Sequence, residues 1–313
     1  MEKKVILTVL IPVHNSENYL SALMKTLPID ERVRYLFVND HSTDDSVSLI
    51  RKSKREDFVV EHSERSGAAA TRNWGLKFVS SEYVSFVDSD DYLISDEFIA
   101  AVDLLEKNIH SFQLFNFSQH ASEETSSENL ILQVLNLITT AGFIAGPMSK
   151  FYSVKFLNEY KVRFPENLDR GEDLIFNLRV LANNPSVNSV RLSWYMYRYN
   201  VKSLSKKIGY DVISNHKSFI QAVDDILDDN SVVFAATSMA IYNDLRSLKG
   251  QGVDRAMLNK VRKEWISTIS LFKVLISKYL NLKHKIWISM LFFGFVRGTQ
   301  YDSTQTQDTF SKL

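Results

Sequence analysis

Apolar positions along the first 117 residues alternate between two spacings. Unbroken apolar runs at Val5–Ile11, Val33–Val38, Phe58–Val60, Tyr83–Val87 and Phe112–Phe117 predict strands buried on both faces. Between them the spacing lengthens to that of a helix. Ser16 is positioned to cap a helix that carries Tyr19, Leu20, Leu23, Met24 and Leu27 on one face. Asp44–Ser53, Gly67–Phe78 and Asp96–Lys107 predict three more. Strand–helix alternation of this kind builds an α/β fold, a mostly parallel sheet with helices on both faces.

The pattern then changes. Glu123–Glu128 is polar and reads as a loop, and Asn129–Thr140 as a helix. Phe151–Tyr160 and Asp173–Ala182 predict helices, and Trp194–Tyr199 a strand. From Asp211 onward the spacing is helical throughout. A boundary near residue 208 therefore separates an α/β domain from a helical C-terminal region, 209–313. Within the first domain the change of pattern divides residues 1–117 from residues 118–208.

Composition narrows the chemistry. None of the 313 residues is cysteine, which excludes disulfides, thiolate zinc sites and cysteine nucleophiles and fits a reducing compartment. The apolar segment after Lys4 is short, β-branched and ends in Pro12, so it is expected to be a strand and not a secretion signal. Net charge is zero but unevenly spread. Residues 1–245 hold 25 Lys/Arg against 33 Asp/Glu, whereas 246–297 hold 11 against only Asp254 and Glu264. Within that basic tail, Leu271–Val296 mixes Leu, Ile, Phe and Trp with Lys273, Lys278, Lys283 and Lys285. Its longest uncharged run has 11 residues, short of the roughly 20 that span a bilayer. Three readings stand: peripheral membrane contact, a homo-oligomer interface, or packing on the chain's own body. No nucleic-acid-binding motif accompanies the basic residues.

Ligands of open α/β sheets bind beyond the carboxyl ends of the strands. Charged residues gather at those ends. Asp88-Ser89-Asp90-Asp91 follows Tyr83–Val87, and three clustered carboxylates repel one another unless a cation or donor-rich ligand sits among them. Hard carboxylate oxygens suit Mg²⁺ or Mn²⁺. Asp40 follows the second strand, where it can accept from a nucleobase or ribose donor. Gly67 and small residues open a helix that carries Arg72 one turn in. Glu172-Asp173 opens another, where the dipole favours negative charge.

Six segments, in order over about residues 5–205, resemble the family-2 glycosyltransferases with a GT-A fold, of the kind that builds bacterial cell-surface polysaccharide. They are Ile11-Pro12-Val13-His14-Asn15 with Glu17, Phe37–Asp44, Gly67–Gly75, Phe86–Asp91, Gly171-Glu172-Asp173 with Phe176, and Tyr197-Arg198 with Ser203-Leu204-Ser205. The resemblance implies that Pro12, Val13 and Asp40 hold the uracil of a UDP-sugar, with Arg72 supporting the pocket. His14, Asn15, Glu17, Gly67 and Ser89 complete the donor motifs; Asp88 would contact the ribose, Asp90 a Mn²⁺ or Mg²⁺ on the diphosphate, and Arg198 the segment that closes over it. Asp173 would be the base that activates the hydroxyl of a glycan or lipid-linked acceptor, with Glu172 beside it, in an inverting transfer. Lys150 matches a lysine common in the family. The sequence departs from the family at His14, often tyrosine, and at Asn200, often a histidine near the metal. The implied compartment is the cytoplasm; peripheral contact with the inner face of the plasma membrane stays one of the three readings of the basic tail.

Overall fold

The computed structural model describes residues 4–64, 66–120, 126–135, 146–198, 212–250, 255–267 and 269–293. The chain forms two compact units, Met1–Val201 and Lys202–Leu313. The boundary anticipated near 208 falls within 199–211, outside the described residues.

The first unit runs β1 (Leu7–Val13), α1 (Glu17–Thr26), β2 (Val33–Asn39), α2 (Ser46–Lys52), β3 (Phe58–His62), α3 (Ala68–Gly75), β4 (Tyr83–Phe86), β5 (Tyr92–Leu93) and α4 (Ser95–Lys107). It continues with β6 (Leu114–Phe117), α5 (Ser127–Val134), β7 (Lys150–Ser153), α6 (Val154–Glu159), α7 (Glu172–Ala182), β8 (Val187–Val190) and β9 (Tyr195–Met196). Seven strands form one sheet in the order β3-β2-β1-β4-β7-β6-β8, while β5 and β9 pair separately. All pairings in the large sheet are parallel except those of β7 with β4 and β6.

The apolar runs read as continuous because both faces are covered. Leu7, Val9, Ile11 and Val13 point to one core with Phe98, Phe151 and Trp194. Leu10, Val84, Phe86 and Phe176 point to the other. Phe86 sits edge-on to Tyr152, Phe164 and Phe176 in that second core. At Gly75, α3 lies so close to the sheet that a Cβ would come within 2.6 Å of Leu10 Cδ1 and 2.7 Å of Val38 Cγ2.

Several local expectations are corrected. Phe151–Tyr160 begins as strand β7 and turns helical only at Val154, because Phe151 and Tyr152 enter opposite cores with the period of a strand. Ser153 caps α6 by accepting from the Phe156 N–H at 3.4 Å. Ser16 occupies the N-cap position of α1 but makes no capping bond, its hydroxyl being engaged at Ser89. The helix expected over Asn129–Thr140 is α5, capped by Ser126, and residues 136–145 lie outside the described set. The strand expected over Trp194–Tyr199 is only the two residues of β9.

The second unit contains α8 (Val212–Asp224), α9 (Asn230–Gly250), α10 (Arg255–Ile266), α11 (Leu271–Ile276) and α12 (Leu282–Phe292), with no strand among its described residues. The long α9 packs against α8, α10 and α12. Buried His216 lies 2.8 Å from Asp244 and against the Trp265 ring.

Candidate active site

The loops after β1, β2 and β4 meet at the carboxyl ends of those strands. The chain leaves β1 through His14 and Asn15, the latter with φ 48°. The His14 ring lies 2.6 Å from the Asp40 carbonyl, which can only accept, so Nδ1 donates. Nε2 is then free to accept from the Asn15 amide at 3.3 Å. Asn15 also accepts from the Thr43 N–H at 2.8 Å. Glu17 and Asp44 tie the next two helix starts together: the Glu17 N–H donates to Asp44 at 3.0 Å, and the Asp45 N–H donates to Glu17 at 3.1 Å. Glu17 thus shapes the loop with its carboxylate.

Asp40 is buried at the end of β2. Its Oδ2 accepts from the Gly67 N–H at 2.9 Å. Its Oδ1 is buried without a hydrogen-bond partner among the described residues. Gly67 stands at φ 102°, a conformation that disfavours any side chain, and directs its N–H at Asp40.

The acid motif divides by burial. Asp91 is only 3% exposed; it accepts from the Tyr195 hydroxyl in a short hydrogen bond and from the Arg198 N–H at 2.8 Å. Burial pushes its pKa up to about 7. Tyr195 also accepts from the Asp88 N–H at 3.3 Å, so one phenol holds both ends of the turn. The Ser89 hydroxyl is buried 2.7 Å from that of Ser16. Asp88 and Asp90 remain half-buried.

Arg72 joins this motif to the segment at Glu172. It is 4% exposed, yet its Nη2 donates to Asp88 at 2.9 Å and its Nη1 to Asp173 at 3.0 Å. The Glu172 carboxylate lies 3.7 Å from Nη1, and Phe164 underlies the guanidinium. Burial is the strongest influence against the charge, but Asp173, Asp88 and Glu172 together hold Arg72 protonated above the ordinary arginine range. The carboxylates feel the same burial. Glu172 is pushed up to about 7 by desolvation and by Asp173, with Arg72 opposing. Asp173 is raised too, mainly by desolvation. Gly171, left-handed at φ 93°, makes the turn that puts both acids in the first turn of α7.

Lys150, which matches a lysine common in the family, is fully buried in β7. Its ammonium donates to the carbonyls of Gly146 at 2.8 Å and Met148 at 3.2 Å. Desolvation lowers its pKa, and Asp173 pulls the other way. Asn177 also donates to Gly146 O, at 2.8 Å, and accepts from Tyr152 at 2.7 Å. Sequence reasoning missed Tyr195 and Asn177; neither belongs to an acid or glycine motif, and only the fold brings them here.

Arg198 lies with its guanidinium 4.0 Å over Tyr92, and its Nε and Nη2 are buried without a partner among the described residues. Asn200 and Ser203–Ser205 fall outside the described residues. Among the described residues, no group of three His, Cys, Asp or Glu side chains is arranged to hold a metal ion. A cavity of about 610 Å³ opens elsewhere, at the other end of β4, lined by Tyr83, His110, Phe112 and Tyr160; it contains none of the predicted site residues.

The arrangement matches known proteins. The Glycosyl transferase family 2 model matches residues 8–157. A poly(ribitol-phosphate) beta-glucosyltransferase of Bacillus spizizenii is 28% identical over 71% of this chain and 36% of its own length. The glycosyltransferase GlyA of Streptococcus pneumoniae is 30% identical over 64% of the chain and 31% of its own length. The chain thus spans about a third of the length of these relatives. Among solved structures, Staphylococcus aureus TarS 1–349 in complex with UDP-GlcNAc superposes with a TM-score of 0.65 at 17% identity, over 92% of this chain and 87% of that one. A Pyrobaculum calidifontis mannosyltransferase in complex with GDP-Man and Mn²⁺ gives a TM-score of 0.55 at 14% identity, over 93% of this chain and 85% of that one. The sheet order, the acid motif and these matches together show a glycosyl transferase family 2 domain over residues 8–157, in a chain with the GT-A fold.

Proposed function

We propose that this chain is an inverting glycosyltransferase that moves a sugar from a UDP-sugar to an acceptor hydroxyl in the synthesis of a cell-surface polysaccharide. The observation that carries the reading is the Arg72 bridge, which holds Asp88 and Asp173 on one guanidinium. It brings a carboxylate suited to the donor's ribose within one side chain of a carboxylate suited to the acceptor.

Each end of the donor meets matching groups. The unpartnered Asp40 Oδ1 is an acceptor for the uracil N–H, beside the backbone of Pro12 and Val13. The buried nitrogens of Arg198, without a partner among the described residues, are donors for the diphosphate. Asp173 accepts the proton of the acceptor hydroxyl as that oxygen attacks the anomeric carbon, and Glu172 orients the reacting partners. Both keep a solvent-facing edge, with 28% and 18% side-chain exposure respectively.

Asp90, half-buried at the end of the acid motif, is the residue that would hold a Mn²⁺ or Mg²⁺ through its hard carboxylate oxygens. The ion would supply charge neutralisation of the leaving diphosphate. The acceptor class, a glycan or a lipid-linked saccharide, is carried by likeness to relatives named for poly(ribitol-phosphate) glycosylation. A cytoplasmic location goes with this reading, because nucleotide-sugar donors are supplied there. Nucleoside-diphosphate release measured across UDP-, GDP- and dTDP-sugars tests the donor class. Turnover confined to UDP-sugars is expected, and turnover with GDP- or dTDP-sugars alone would refute the assignment of the Asp40 pocket to uracil.

A further inference from the structure

We infer that α11 and α12 form a docking surface for an anionic lipid bilayer, independent of the transfer chemistry. Of the eleven exposed large hydrophobic residues among those described, six lie between 272 and 293. Phe272, Leu275 and Ile276 are 69%, 53% and 62% exposed and share one face of α11 by their spacing. Leu282, Ile286 and Phe293, at 74%, 50% and 71%, follow one stripe of α12 and its final turn. The inward positions of the same helices, Val274 and Ile288, are fully buried, so the helices are anchored and the outer side chains are surplus to the core.

Charge identifies the occupant. Lys273, Lys278 and Lys283 are exposed and Lys285 half-buried around these apolar side chains. No Asp or Glu occurs between Glu264 and Asp302. Asp229 adjoins the face but is engaged there, accepting from the Tyr279 hydroxyl at 2.9 Å, so a second copy meeting this face symmetrically would set four lysines against four. A soluble polyanion would satisfy the lysines and leave the phenylalanines and leucines in water. An anionic bilayer satisfies both, taking apolar side chains below its headgroups and lysines at its phosphates. With 11 residues, α12 is far too short to span, and no described helix is long and apolar enough to cross a membrane, which leaves an in-plane contact.

The test is sedimentation of the full chain with phosphatidylglycerol–phosphatidylcholine vesicles, against phosphatidylcholine alone, at low and high salt. Binding to the anionic vesicles only, weakened by salt, is expected. Replacing Lys273, Lys278, Lys283 and Lys285 together by Gln should weaken it by about ten-fold or more. Phe272→Ser with Leu282→Ser should weaken it similarly, both variants keeping the parent's circular dichroism and its UDP-sugar turnover in solution. No sedimentation, or equal binding to uncharged vesicles, would overturn the inference. So would light scattering that shows an oligomer dissociated by these substitutions. Because wild-type binding and solution turnover are read separately, failure here is distinguishable from failure of the proposed transfer reaction.

Discussion

The Arg72 guanidinium and the Asp173 carboxylate, 101 residues apart in sequence, meet at 3.0 Å beneath the ends of the parallel strands. The bond requires α3 and α7 to converge at the same strand ends, and it makes Arg72 the counter-charge for three acids. Arg72→Gln removes that charge and leaves Asp88, Glu172 and Asp173 facing one another. Because those carboxylates keep some water, the loss of stability should fall between that of an exposed pair and that of a broken buried pair, roughly 2 kcal/mol. Urea denaturation measures it. Arg72→Lys should recover little, since one ammonium cannot reach both partners with a planar fork.

Gly75 sets how deeply α3 sits, and hence where Arg72 ends. Gly75→Ala places a methyl within 2.6 Å of Leu10 Cδ1. The expected cost is about 1–3 kcal/mol of stability, read from the denaturation midpoint. A fall in kcat should accompany it as Arg72 is lifted from Asp173.

Asp40 presents its unpartnered oxygen where a donor base would bind. Asp40→Asn keeps an acceptor for Gly67 but turns an amide donor toward the base, so a donor faces a donor. UDP affinity by calorimetry should fall about ten- to hundred-fold. Unchanged affinity would move the base elsewhere.

The raised pKa values of Glu172 and Asp173 give a signed pH dependence. The base acts only when deprotonated, so kcat/KM should rise with pH, with an acid limb above the ordinary carboxylate range. Glu172 is held at about 7, and Glu172→Gln removes its repulsion, so the limb should shift to lower pH. Stability runs the other way. A carboxyl whose folded pKa lies above its unfolded value binds more protons when folded, so its contribution is complete below the unfolded value of 4.5 and is lost as pH rises toward 7.

Much of this site is legible in the chain because buried parallel strands are apolar until they end. The acids at Asp40 and Asp88 mark where Val38 and Val87 stop. The family motifs supplied the order. Three things were hidden. β7 was read as helix because Phe151 and Tyr152, facing opposite cores, look locally like part of an amphipathic run. The burial of Lys150 depends on two backbone carbonyls, which no side-chain pattern reports. Tyr195 grips Asp88 and Asp91 across 107 and 104 positions, a contact set by β5–β9 pairing alone.

In the proposed scheme Asp90 holds the ion. Chelation with EDTA should lower turnover, and added Mn²⁺ should restore it; in Asp90→Asn the restoration should require a higher Mn²⁺ concentration. Turnover indifferent to chelation would remove the ion from the scheme.

The most direct test is UDP release from a UDP-sugar in the presence of acceptor and Mn²⁺, comparing the wild type with Asp173→Asn. The substitution keeps the shape and a hydrogen bond to Arg72 but cannot take a proton. A fall of about 10²- to 10⁴-fold in kcat, with UDP affinity and the circular dichroism spectrum unchanged, is the predicted result. Wild-type turnover by Asp173→Asn would contradict the account.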